Sequence, residues 1–209
     1  MRNDLLPFGN LCFIELTEIR VVSVTGTPGV GKSTLCSYLA QKYGYFHIDI
    51  GKFVIANRIY EAYDEPRKSY VADMRRLKAA TDKAIRASGD QLLLLDGSYA
   101  HHLVPQKPWV GIFLMRMNPM LLYRRLVRSH TRAEARENSM AEFLGLIRSE
   151  LLDRKYVVEV DASNSEIPEL GRIVERSIKN KFRSRTRTRD WMVLMKEKEL
   201  RRFLGIVEE

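Results

Sequence analysis

Gly26-Thr-Pro-Gly-Val-Gly-Lys-Ser33 has the spacing G-x-x-x-x-G-K-[ST] of a P-loop. The apolar run Ile19-Arg-Val-Val-Ser-Val24 precedes it and reads as a strand, and Ser33 to Tyr43 follows as a helix. That strand–loop–helix setting turns a pattern into a phosphate site. Glycines let backbone N–H groups face inward as a nest for phosphate oxygens. The helix N-terminus adds free donors and a partial positive charge. In this reading Gly26, Thr27, Pro28, Gly29, Val30, Gly31, Lys32, Ser33 and Thr34 hold a nucleoside triphosphate. Lys32 reaches the β- and γ-phosphates, and the Ser33 hydroxyl ligates Mg²⁺.

Outward from the loop, apolar strands alternate with helical stretches. Phe46–Ile50, Gln91–Asp96, Trp109–Met115 and Tyr156–Val160 are the further predicted strands. The Leu92–Leu95 run is apolar throughout, as a strand buried on both faces requires. Asp73 caps a helix from Met74 to about Ala87, which ends at Ser88-Gly89-Asp90. Asn118-Pro119 opens a helix to about Ser129, and another runs from about Arg132 to Leu152. Asn164 or Ser165 opens the last core helix, through Lys179. Residues 52–72 read as a short helix and an irregular polar excursion. The alternation predicts an α/β fold, a five-stranded parallel sheet with helices on both faces. The chain divides into a lead (1–18), a core (19–179) and a basic extension (180–209).

Composition sets bounds. The 209 residues are 45% hydrophobic, enough for a core in one domain plus an extension. Cys12 and Cys36 have no metal-ligand spacing, and Cys36 reads as a buried small hydrophobe. The expected compartment is the reducing cytoplasm. No run is long and apolar enough for a membrane span, and the first residues lack a signal-peptide core. The net charge of +9 favours polyanionic partners such as nucleotides or RNA.

Two further groups surround the expected triphosphate. Asp96 ends a buried strand, the Walker B position, and is expected to hold Mg²⁺ with Ser33. Arg124, Arg125 and Arg128 lie on the helix after Asn118, with Arg132 and Arg136 beyond. Arg125 and Arg128, three apart, are expected on one face, gripping phosphoryl oxygens. Lys32, Asp96, Arg125 and Arg128 are the catalytic candidates. His101 and His102 are expected to point different ways, with no Cys or Glu cluster beside them, so no transition-metal site is expected there.

In order along the chain stand the P-loop, Tyr63-Asp64-Glu65, Asp96-Gly-Ser-Tyr-Ala-His101, Tyr123-Arg-Arg-Leu-Val-Arg128 and Arg136-Glu-Asn-Ser-Met-Ala-Glu142. In these the chain resembles the adenylate kinase isoenzyme 6 family, over roughly residues 19–178. The resemblance implies a nucleoside monophosphate kinase-like P-loop NTPase. It implies ATP and AMP as substrates, two ADP as products, an ATPase activity, and Mg²⁺. It also implies work in small-subunit ribosome maturation, with a ribosomal protein or rRNA partner. Residues 128–137 would be the lid, with Arg128 gripping ATP, and residues 49–72 the acceptor side, with Asp49, Gly51 and Arg58 as candidates. The family's usual Asp-x-His is Asp96-Gly97-Ser98 here, so the γ-phosphoryl has AMP or water as possible acceptors. Lys52 stands where an acid is common, and Arg128-Ser129-His130 replaces Arg-Gly-Tyr.

In the extension, Lys181, Arg183, Arg185, Arg187 and Arg189 would line one face of an extended ribbon suited to RNA phosphates. Phe182 and Trp191 could then stack on bases. No DNA partner is expected. Two other readings stay open: an ATP-gated assembly factor with little AMP kinase activity, and a kinase of another small acceptor, such as a different nucleotide, shikimate or a cofactor precursor.

Overall fold

The computed structural model describes residues 19–65, 67–89, 91–183 and 190–195. Five strands form the main sheet: β1 (Val21–Thr25), β2 (Phe46–Asp49), β5 (Leu93–Asp96), β6 (Val110–Arg116) and β7 (Val157–Asp161). All pair in parallel, in the order β2-β5-β1-β6-β7. The helices are α1 (Lys32–Tyr43), α2 (Ile50–Ala56), α3 (Met74–Ala87), α4 (Ala100–Leu103), α5 (Pro119–Leu126), α6 (Arg132–Leu144), α7 (Leu146–Ser149), α8 (Ile167–Lys179) and α9 (Trp191–Leu194).

The apolar runs are explained by two cores, one on each face. Val22, Val24 and Leu94 point to a cluster built with Leu35 and Leu39 of α1 and Leu170 and Val174 of α8. Val21, Leu93 and Leu95 point the other way, onto Val54, Leu77 and Leu103. Alternate residues serve opposite cores, which is why Leu92–Leu95 is apolar throughout, while Ser23 and Thr25 of β1 are buried polar exceptions.

Several boundaries differ from the sequence expectation. Residues 60–72 are not irregular: β3 (Tyr60–Asp64) and β4 (Ser69–Ala72) form an antiparallel hairpin outside the main sheet. The predicted Arg132–Leu152 helix is broken by Gly145, whose φ of 65° suits glycine and ends α6. Neither Asn164 nor Ser165 caps the last helix. Glu166 occupies that position without a side-chain cap, and Pro168 stands in the first turn. Asp73 caps α3 as expected, accepting from Arg76 N, and Asn118 caps α5. Cys36 is fully buried.

Candidate functional site

The chain crosses from one side of β1 to the other between β5 and β6, the switch at which open parallel sheets form a ligand crevice. At that edge Asp96 lies opposite Val24 on one neighbour and Asp49 on the other. The loop Gly26–Gly31 wraps over the end of β1, with positive φ at Gly26, Gly29 and Gly31. At Gly26 the backbone approaches so closely that a Cβ would lie 2.3 Å from the Met115 carbonyl oxygen. Gly26→Ala is therefore expected to displace the loop and lower nucleotide affinity by at least about tenfold, measured by calorimetric ATP titration. Unchanged affinity would contradict this packing.

Lys32 is folded back into the loop. Its ammonium donates to the carbonyl oxygens of Gly26 at 2.9 Å and Thr27 at 3.1 Å, and reaches Ser98 Oγ at 3.4 Å. Burial pulls its pKa down, and the Asp96 carboxylate is the strongest opposing influence. Asp96 is itself buried, and His47 Nε2 approaches its Oδ2 at 3.4 Å. His47, two residues before the Asp49 cap of α2, is not among the sequence candidates. Pro28, Gly29, Ser33 and Thr34 are exposed along the loop and the first turn of α1. A buried carboxylate and a free hydroxyl are hard oxygen donors, a set that fits Mg²⁺.

The two arginine candidates do not share a helix face. Helix α5 stops at Leu126, so Arg125 is on its last turn and Arg128 lies in the turn beyond it. One Arg125 guanidinium nitrogen sits 3.8 Å from where a Cβ on Gly31 would be, directly over the P-loop. Arg128 is exposed at the start of a short turn that ends at Thr131. There a reciprocal capping box with Glu134 starts α6.

Beside Gly51 lies a cleft of about 490 Å³, lined by Gly51, Val54, Tyr63, Lys68, Tyr70 and Tyr99 among others. Of the acceptor-side candidates, Gly51 lines it. Asp49 instead caps α2, accepting from Lys52 N at 3.1 Å, and pairs with Lys52 Nζ at 3.6 Å. Arg58 does not line the cleft; it is exposed in the turn after α2, with φ of 54°. Tyr63 and Tyr99 stand in the resemblance motifs and Tyr70 in the 49–72 acceptor side, but none is a site candidate, because the hairpin that presents Tyr63 and Tyr70 is not expected from the sequence. Their signal was the alternation in Tyr60-Glu-Ala-Tyr and Ser69-Tyr-Val-Ala on either side of a turn. At the hairpin tip Arg67 bonds Glu137 of α6 at 3.0 Å, so the hairpin reaches the helix behind the Arg128 turn.

Residues 22–145 match the family described as an AAA domain. A protein of Methanocaldococcus jannaschii named "Putative adenylate kinase" is 31% identical over 171 residues, covering 81% of this chain and 92% of that relative. One of the same name from Methanococcus maripaludis is 33% identical, covering 70% of this chain and 81% of its own length. The chain belongs to the adenylate kinase-like family. Among solved structures, a gluconokinase from Sinorhizobium meliloti 1021 superposes with a TM-score of 0.51 at 14% identity, covering 78% of this chain and 93% of that one. The YorR protein of Bacillus subtilis, solved with phosphorylated GDP, also scores 0.51, at 12% identity, over 79% of this chain and 99% of its own. At such identities the likeness is one of fold: an α/β P-loop sheet.

Behind the P-loop, this adenylate kinase-like chain buries a charged hub. Thr27 Oγ1 donates to Glu142 Oε2 at 2.5 Å. The other oxygen of Glu142 accepts from Arg116 Nε, Met117 N and Trp191 Nε1. Arg116 also donates to Glu159 at 2.9 Å, and Arg148 reaches the same carboxylate at 3.2 Å. Arg116, Glu142 and Glu159 are all buried. Glu142 closes the Arg136–Glu142 motif, but Arg116 and Glu159 carried no sequence signal.

The hub corrects the reading of the extension. Trp191 is buried against Phe143 and Met195, with its indole N–H held by Glu142, so it is not free to stack on a base. Phe182 is buried too; its ring packs where Gly111 leaves no side chain, and a Cβ there would lie 2.3 Å away. Lys181 and Phe182 take φ of 53° and 50°, so an extended ribbon does not begin at Lys181. Arg183 is exposed and Lys181 partly so. Arg185, Arg187 and Arg189 lie outside the described residues, as do Cys12 and the 1–18 lead. Among the described residues, no helix is long and apolar enough to cross a membrane.

Proposed function

We propose that the protein is a nucleotide kinase that moves the γ-phosphoryl of ATP to AMP, giving two ADP. The observation that carries this is the two-sided site. The P-loop with Lys32 and Asp96 stands on one side of the sheet edge, and the tyrosine-lined cleft stands next to it, beside Gly51. At about 490 Å³ the cleft is of ordinary small-ligand size.

In this reading an oxygen of the AMP phosphate attacks the γ-phosphorus. The new P–O bond forms as the bond to the β–γ bridging oxygen breaks, and the leaving ADP takes that electron pair. Lys32 exchanges the carbonyls of Gly26 and Thr27 for the β- and γ-phosphate oxygens. Arg125, over the loop, and Arg128, from the turn, add positive charge as the transition state forms. Ser33 and Asp96 would hold Mg²⁺, which neutralises charge on the β- and γ-oxygens. Closure of the 128–137 segment excludes water. The proposed compartment is the cytoplasm.

A second reading is favoured by the Thr27–Glu142–Trp191 link, which ties the P-loop to the C-terminal segment. In that reading nucleotide state governs a surface that holds a ribosomal protein or rRNA of the small subunit, with ATP hydrolysis as the reset. Ser98 at the family's histidine position supports slow or uncoupled turnover.

A coupled ADP assay with AMP, CMP, dAMP or no acceptor separates the readings. The expected result is ADP formation at least about tenfold faster with AMP than without acceptor. Turnover indifferent to AMP but raised by pre-rRNA or a ribosomal protein would replace the kinase by the switch. A preference for another acceptor would relocate the chemistry within the same fold.

A further inference from the structure

Beside Thr25, two histidines converge on one carboxylate. The sequence expectation that adjacent His101 and His102 diverge fails, because α4 is only four residues long. Their rings lie 4.1 Å apart. His101 Nε2 is 2.8 Å from Glu150 Oε2, and His102 Nε2 is 3.1 Å from the same oxygen. All three donor atoms fall within 4.8 Å of one another. Metal–nitrogen and metal–oxygen bonds of about 2.0–2.2 Å, at angles near 90–110°, place donor atoms on the order of 3 Å apart.

The proton inventory points the same way. Thr25 Oγ1 donates to the Ser98 carbonyl at 2.9 Å, so toward His101 Nδ1, also at 2.9 Å, it accepts. With Nδ1 protonated, the neutral His101 ring turns the lone pair of Nε2 toward a carboxylate oxygen. Two electron-rich atoms at 2.8 Å need a proton or a metal ion between them, and the second imidazole on the same oxygen makes the group a chelating set. The hydrogen bond from Nδ1 is also what fixes the ring of a metal-bound histidine.

We propose that His101, His102 and Glu150 bind a divalent transition-metal ion of the zinc class, separate from the nucleotide's Mg²⁺. Two imidazole nitrogens and one carboxylate suit Zn²⁺, and leave a fourth position to water. His102 and Glu150 are about half exposed, so the ion enters from solvent without unfolding. Once bound, it clips α4 to the end of α7. A second His/Cys/Asp group, Cys36, His47 and Asp96, is less suited. Burial holds the Cys36 thiol well above its usual pKa, hence protonated, and Asp96 faces Lys32.

The test uses the tag-free, chelator-treated full chain. Calorimetric Zn²⁺ titration is expected to give one equivalent bound in the micromolar range or tighter. A Co²⁺ complex should lack a thiolate-to-cobalt charge-transfer band. A saturating Zn²⁺ excess should raise the melting temperature by a few degrees. His102→Ala and Glu150→Gln should each weaken Zn²⁺ at least about tenfold. Both positions are open to solvent, so the metal-free variants should melt with the parent. His47→Ala should bind as the parent does. No Zn²⁺ binding in this range, binding untouched by both variants, or a thiolate band would each overturn the proposal.

Discussion

Lys32→Met is expected to cut ADP formation by about 10²–10³-fold or more while leaving the fold intact. The chemistry asked of Lys32 is electrostatic, and removing one such group from a preorganised site costs about 2.7–4 kcal/mol of transition-state stabilisation. Methionine keeps most of the aliphatic stem and loses only the ammonium. That ammonium is buried and carries a desolvation penalty, seen in the downward direction of its pKa. Its removal also takes the lysine donor from the Gly26 and Thr27 carbonyls, the latter keeping a bond of 3.4 Å from Val30 N. These opposing effects should keep the melting temperature within a few degrees of the parent. Asp96→Asn should lose activity comparably, because an amide is a poor Mg²⁺ ligand and no longer balances Lys32. The measurement pairs a coupled kcat with a thermal melt. Full turnover in either variant would remove the P-loop side of the proposed mechanism.

Glu142→Ala is expected to be the most destabilising single change in the site region. Glu142 accepts from Thr27, Arg116, Met117 and Trp191, all from a buried position. Deleting one member of a buried ion pair strands its partner, typically at about 3–5 kcal/mol. For a chain of this size that is a fall in melting temperature on the order of 10 °C. Trp191→Phe keeps an aromatic ring but loses the rest of the buried indole and one hydrogen bond to a charged acceptor, so it should cost at least about 1.5–3 kcal/mol. Because Thr27 belongs to the P-loop, Glu142→Gln should raise KM for ATP more than it lowers kcat. Urea and thermal melts on the three variants give the ranking. A Glu142→Ala protein that melts within 2 °C of the parent, an allowance far below the expected fall, would show that the hub contributes little.

Much of the framework was legible locally. Gly26–Ser33, the apolar run to Asp96 and the Asp73 cap each announce an element through short-range physics: φ freedom, two-sided burial, an accepted N–H. The tyrosine-lined cleft was less legible, because β3 and β4 are mostly exposed and show weak alternation. The Asn118-Pro119 signal marks where a helix starts but not where it stops: the expected run to about Ser129 carries Arg128, whereas α5 ends two residues before it.

The sequence by itself determined the P-loop, the acid at the end of β5 and the alternation that makes the sheet parallel. These depend on residues near one another in the chain. Only the tertiary structure decided which charges are buried and which aromatics are spoken for. Arg116 and Glu142 are 26 positions apart, and Trp191 is another 49 beyond Glu142. Whether such groups pair or face water depends on which surfaces the sheet brings together. A charged or aromatic residue looks the same in sequence either way.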